Sequence, residues 1–276
     1  MHLLMVAGIS YALLCLLFYF LQDFFFFRPE ILPKSFQYRY AFPFEEVHFE
    51  MEDGGYINGL HFKVPNAKGV IFYLKGNSKS VKGWGKFAKD FVSKGYDFFI
   101  VDYRGFGKSS GKRTEAMLYN DAQHIYKWLQ GYYPQEKIVL YGRSWGSGIA
   151  TRLASWNSPK MLILDSPYFS FFYNIKRFGF FLPLNWLLKY KIRSDRFIKK
   201  VTCPIFIFHG SKDRLIPFLQ SEMLQKAATG FIKLFRIEDA GHNNLPDFPE
   251  YHEYLYDVLN DEAFVAKLEG KLPLVA

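Results

Sequence analysis

Residues 137–155 read KIVLYGRSWGSGIATRLAS, an apolar run, then small residues around one serine, then helical spacing. Ile138 to Tyr141 form a β-branched, aliphatic and aromatic run of strand length, which suits a parallel sheet covered on both faces. Ile149, Leu153 and Ala154 recur at helical spacing, so strand passes to helix across Gly142-Arg143-Ser144-Trp145-Gly146. Gly142, Ser144 and Gly146 make the pattern G-x-S-x-G. A serine in a strained strand-to-helix turn tolerates only small neighbours, and the turn lifts its hydroxyl clear of the backbone. The pattern is short enough to arise by chance. Its weight comes from its setting and from partners elsewhere in the chain.

A serine hydroxyl is a weak nucleophile at neutral pH, so it needs a base within hydrogen-bond reach and a third group to hold that base. Residues 205–213, IFIFHGSKD, read as a strand ending in small residues and then a carboxylate, which presents Asp213 at the C-terminal edge of a sheet. Ala240-Gly241-His242-Asn243 follows the last expected strand, so His242 belongs to a loop at the same edge. Asp165, also at a strand end, competes for the role of acid. His209 competes with His242 but lies on a strand four residues before Asp213, which reads as structural. Charge developing on a substrate carbonyl oxygen needs backbone N–H donors already aimed at it. Trp145, after the serine, supplies one, and the loop Lys75-Gly76-Asn77 supplies the other, with Asn77 as the expected donor.

Outward from these segments the chain alternates. Strands are expected at 44–51 and 56–64, joined as a hairpin across Asp53-Gly54-Gly55, and at 70–74, 98–102, 161–164, 205–208 and 232–237. Helices are expected at 84–93, 114–129, 217–228 and 251–259, the second turning Ala116, Tyr119, Ala122, Ile125, Tyr126 and Leu129 inward. Repeated βα units with an antiparallel start imply an α/β, mostly parallel, doubly wound sheet. Residues 166–200 break the rhythm with a long stretch rich in Phe, Tyr, Trp, Lys and Arg. That composition fits a lid-like insertion over the site, or ordinary helices completing the core.

The segments YLKGNS, DYRGFGKSSG, YGRSWGSG, HGSKDRLIP and AGHNNL resemble the α/β-hydrolase superfamily across residues 44–260, and in particular its membrane-anchored branch that includes protein depalmitoylases. The resemblance implies Ser144, Asp213 and His242 as the catalytic set and Asn77 and Trp145 as the oxyanion donors. The chain departs at Lys75, where the family usually carries His before Gly.

Leu3 to Leu21 contains no charged residue, and roughly 20 apolar residues suffice to cross the hydrocarbon core as a helix. A signal peptide would want a basic start and a small-residue cleavage site, whereas this segment starts Met-His and ends in Phe24 to Phe27. We therefore expect an anchor at 1–27, a linker at 28–43 and a hydrolase domain at 44–276. Arg28, Lys34 and Arg39 follow the apolar segment and no basic residue precedes it, so the domain is expected on the cytoplasmic face. Cys15 and Cys203 offer no disulfide within the domain. The net charge of +9 is dispersed and accompanied by no nucleic-acid motif, which suits a cationic domain beside anionic lipid. The expected activity is hydrolysis of an acyl ester or thioester through an acyl-enzyme, with no metal or organic cofactor implied. A peptidase on the same fold, or a non-catalytic lipid- or partner-binding tether, are the alternatives.

Overall fold

Five strands carry almost nothing but large apolar residues, and the reason is where they lie. β3 (Val70–Leu74), β4 (Asp97–Val101), β5 (Ile138–Arg143), β6 (Met161–Asp165) and β7 (Ile205–Gly210) are buried along their whole length because helices cover both faces of the sheet they share. β1 (Phe44–Glu50) and β2 (Tyr56–Phe62) form the antiparallel hairpin at one edge, and β8 (Ile232–Ile237) forms the other edge. In this computed structural model, which describes residues 1–260 and 262–270, the sheet order is β1-β2-β4-β3-β5-β6-β7-β8, parallel from β4 to β8. This is the α/β-hydrolase fold that the motifs lead one to expect.

The hydrophobic core is split by the sheet. One layer is filled from α4 (Glu115–Gln130) and α5 (Trp145–Ala154) with part of the 166–200 insertion. The other is filled from α2 (Val81–Trp84), α3 (Ala88–Val92) and α10 (Pro249–Asn260). α9 (Leu219–Ala227) sends Leu224 into the first layer, and α11 (Glu262–Leu268) packs beside the second. The expected helix at 84–93 is instead α2, a 3-10 turn at Gly85–Phe87, and α3; two glycines in one short stretch, Gly83 and Gly85, weaken a continuous helix. On α4 the inward face is carried by Leu118 rather than by Ala116, which is exposed. The last residues of the domain expected at 44–276 lie outside the described residues.

Two regions bear directly on the site. α1 (His2–Phe26) is the apolar helix, with a mean hydropathy of 2.3 in its most apolar window. The connection from α1 to the domain is not slack: residues 28–43 lie strapped on the domain, with bridges from Arg28 to Ser78 and from Ile31 to Gly107. Tyr38 donates to Asn58 Oδ1 at 2.8 Å and Tyr40 to the Val81 carbonyl at 2.8 Å. The insertion folds as α6 (Phe171–Lys176), α7 (Leu184–Leu187) and α8 (Ser194–Phe197). Tyr168, Phe171, Tyr190 and Ile192 enter the core layer around α5, whereas Phe180, Phe181 and Trp186 face outward. The segment is thus divided between core and surface.

Candidate active site

The turn at Ser144 is as tight as its composition demands. Ser144 has φ 51° and ψ −115°, a conformation that costs an L-residue about 1–3 kcal/mol and is tolerated where surrounding contacts fix it. Its N–H donates to the Asp165 carbonyl at 2.8 Å, holding the corner to β6. A Cβ on Gly146 would lie 1.9 Å from the Leu74 carbonyl oxygen, and one on Gly142 would lie 2.6 Å from Ala150 Cβ. Only glycine lets the start of α5 press this closely on β3 and β5. The first N–H groups of α5 have no acceptor within their own helix, so the Trp145 N–H is available at the corner.

Ser144, His242 and Asp213 come together from three loops at the C-terminal edge of the sheet. His242 Nε2 is 2.9 Å from Ser144 Oγ, and His242 Nδ1 is 2.7 Å from Asp213 Oδ2. A carboxylate only accepts, so Nδ1 carries the proton and Nε2 is left to accept from the serine hydroxyl. Burial alone would raise the Asp213 carboxyl. Hydrogen bonds from His209 and His242 and from the Ile216 N–H overcome that and hold it well below the usual carboxylate range.

The two rivals have other occupations. His209 is buried, with Nε2 at 2.8 Å from the Ile216 carbonyl and 3.2 Å from Asp213 Oδ2, and Nδ1 at 2.6 Å from Ser221 Oγ. The Ile216 carbonyl can only accept, so Nε2 bears a proton and His209 supports Asp213 as a donor. Asp165 is enclosed by Tyr141, Ser166 and Arg143. Arg143 in turn donates to the Asn243 carbonyl at 3.1 Å, tying the nucleophile strand to the histidine loop. The sequence reading missed this arginine, although a charged residue immediately before Ser144, at the end of a buried strand, was the signal.

Asn77 lies on the wall of the Ser144 cavity, as does Trp145. Its side-chain amide is committed to the Phe26 carbonyl, and its own carbonyl accepts the Arg28 N–H at 3.0 Å. The end of α1 thus holds this loop in position. Lys75 closes the same loop from beneath. Its ammonium is wholly buried, 3.3 Å from Asp102 Oδ1, 3.2 Å from the Lys79 carbonyl and 4.0 Å above the Phe106 ring. Asp102 accepts the Val81 N–H at 3.0 Å, so one ion pair joins both ends of the loop 75–81. Burial lowers Lys75 to about 8 against the opposing pull of Asp102, and burial raises Asp102 to about 6.

The cavity above Ser144 has a volume of about 450 Å³. Its apolar wall comes from the insertion and from α1 together: Phe171, Ile175, Phe178, Phe25 and Phe26, with Ile216 opposite. Phe180, Phe181 and Trp186 are not among its lining residues. They lie further out on the insertion, beyond Phe178.

The family described as serine aminopeptidase S33 matches residues 65–194. Lysophosphatidylserine lipase ABHD12 of Xenopus tropicalis is 28% identical over 213 residues, covering 68% of this chain and 54% of the lipase. The chain thus spans about half the length of these lipase relatives. Human alpha/beta hydrolase domain-containing protein 17B is 29% identical over 208 residues, covering 72% of this chain and 68% of its own. An esterase from Pyrococcus furiosus superposes with a TM-score of 0.66 at 20% identity, over 83% of this chain and 98% of the esterase.

Proposed function

Because the chain is similar to α/β-hydrolases in sequence and shares their fold, we propose that it is a membrane-anchored serine hydrolase of acyl esters or thioesters, working through an acyl-enzyme. The observation that carries the reading is the continuous relay from Asp213 through His242 to Ser144 Oγ at the base of an apolar cavity. In this reading Ser144 Oγ attacks the substrate carbonyl while its proton passes to His242 Nε2. The Trp145 and Asn77 N–H groups receive the oxyanion, and Asp213 stabilises the imidazolium. Collapse expels the alcohol or thiol, which takes the proton from His242. Water, deprotonated by the same nitrogen, then releases the acid and restores the hydroxyl.

An ester or thioester is favoured over a peptide by the apolar wall, which suits an acyl chain better than a polar backbone. α1 supports retention in the membrane, and the basic residues after it support a cytoplasmic domain. The test is labelling by a fluorophosphonate probe, which needs an activated serine and no knowledge of substrate. Wild-type protein should label and Ser144→Ala should not. Equal labelling of both removes the assignment, and a panel favouring peptides over p-nitrophenyl esters moves the chain to the peptidases.

A further inference from the structure

We propose that the tip of the insertion, residues 178–187, is a second membrane-embedded element beside α1, and that acyl chains enter the Ser144 cavity laterally from the bilayer, past Phe25 and Phe178. The chemistry rests on the hydrolase reading above; the membrane geometry does not.

The first observation is surface. Phe178 is 61% exposed, Phe180 76%, Phe181 52% and Trp186 87%, four large rings within nine residues. Scattered apolar residues on a surface need no explanation, but a contiguous patch of this kind marks a partner. The exposed cations Lys176, Arg177, Lys189 and Lys191 bracket the patch, as basic residues do where a segment meets anionic head groups.

The second observation is position along α1. Tyr11 donates to the Phe181 carbonyl at 2.8 Å. Farther down the same helix the buried Gln22 donates to the Leu187 carbonyl at 3.0 Å and accepts the Lys189 N–H at 2.9 Å. The tip therefore runs alongside α1 as far as its middle. A helix of 25 residues is roughly 38 Å long and the hydrocarbon core roughly 30 Å thick, so about 20 residues are embedded. Tyr11 falls inside every such window between His2 and Phe26. Phe181, bonded to it, then lies among acyl chains wherever the boundary falls. The Tyr11 bond also supplies a donor to a carbonyl that lipid could not satisfy. Within the tip, the N–H groups of Phe178 and Gly179 bond to the Ile175 carbonyl, that of Leu182 to Gly179, and those of Trp186 and Leu187 to Pro183.

The third observation connects the patch to the chemistry. Phe25, 59% exposed, and Phe178 belong to this apolar surface and also line the cavity over Ser144. The cavity wall and the lipid-facing surface are thus continuous, and the substrate is a bilayer-resident acyl chain rather than a dissolved one.

The test uses the full chain in phosphatidylcholine vesicles, with Phe180→Cys labelled by an environment-sensitive NBD probe in a background in which Cys15 and Cys203 are Ser. The proposal expects a blue-shifted probe, quenched by lipids carrying a spin label on the acyl chain and protected from aqueous iodide, while a probe at Lys226→Cys behaves in the opposite way. Iodide quenching of the probe at residue 180 without acyl-chain quenching overturns the membrane placement. This readout needs no hydrolysis, so it stands or falls apart from the proposed activity. For the entry route, Phe180→Asp with Trp186→Asp should lower turnover of a long-chain ester held in the vesicles tenfold or more, and leave a soluble butyrate ester within twofold. Unchanged turnover of the vesicle ester, or an equal fall for both substrates in protein that still labels with fluorophosphonate, overturns lateral entry. Should the double variant not fold, single Phe180→Ser makes the same comparison.

Discussion

Ser144, His242 and Asp213 act as a unit in the proposed mechanism, so Ser144→Ala, His242→Ala and Asp213→Asn should each cost roughly 10⁴-fold or more in kcat with folding retained. Steady-state hydrolysis of p-nitrophenyl esters beside circular dichroism checks this, and near-normal turnover by any of the three would remove that residue from the relay. Lys75 gives a pH-dependent prediction. As pH rises through about 8, Lys75 releases its proton and Asp102 is left buried without its cation, so the loop bearing Asn77 loosens and kcat/KM should fall. Unfolding is not the cause. The unfolded lysine titrates near 10.4, so between about 8 and 10.4 the unfolded chain binds more protons and this group's contribution to stability rises with pH. Lys75→Met should abolish the alkaline limb, lower the plateau and destabilise by about 3–5 kcal/mol, with part of the loss recovered by adding Asp102→Asn. An unchanged alkaline limb in Lys75→Met would assign it to another group. At this scale the meeting of Ser144, His242 and Asp213 was legible because chain order and strand ends bear on it. The Lys75–Asp102 pair and the Arg143 tie were not, since each joins residues whose contact depends on how separate strands align.

Elements were legible wherever burial dictated composition. The five inner strands announced themselves as apolar runs, and their helices by period, whereas α2 and α3 were merged because a hydrophobic pattern continues across a break that glycine imposes. The 28–43 strap was unreadable for a different reason: its pairing partners, Ser78 and Gly107, are set by the fold and not by any local pattern. That strap carries a prediction. Since Phe26 and Arg28 bond to Asn77, and Lys79 donates to the Arg28 carbonyl at 2.9 Å, a chain truncated before Pro29 should lose the support of its oxyanion loop. Such a truncated domain in detergent should show kcat reduced by about 10-fold or more on soluble esters, with KM changed less, approaching the roughly 10²–10³-fold loss expected when one oxyanion donor is removed outright. A truncation that retains full kcat would show that α1 acts only as an anchor. A chain cut within α1 instead, keeping residues from Leu21 onward, should preserve that kcat.

For the whole molecule, the expectation is a domain held against one leaflet by α1. The full chain should resist extraction from membranes by high salt or alkaline carbonate, and a reporter fused at its C-terminus should register as cytoplasmic. Release of a shortened product lacking 3–21 would identify that segment as a cleaved signal and reverse the compartment. The bond from Arg28 to Asn77 fixes more than a loop. If α1 spans a bilayer as proposed, then with no free chain between helix and domain Ser144 works at one height above that bilayer and cannot swing to a neighbouring vesicle. Its rate should then follow the mole fraction of substrate in the membrane that holds it, falling when inert lipid dilutes the substrate in two dimensions and staying constant when buffer dilutes the vesicles in three. Substrate supplied in separate vesicles should be spared until the membranes fuse.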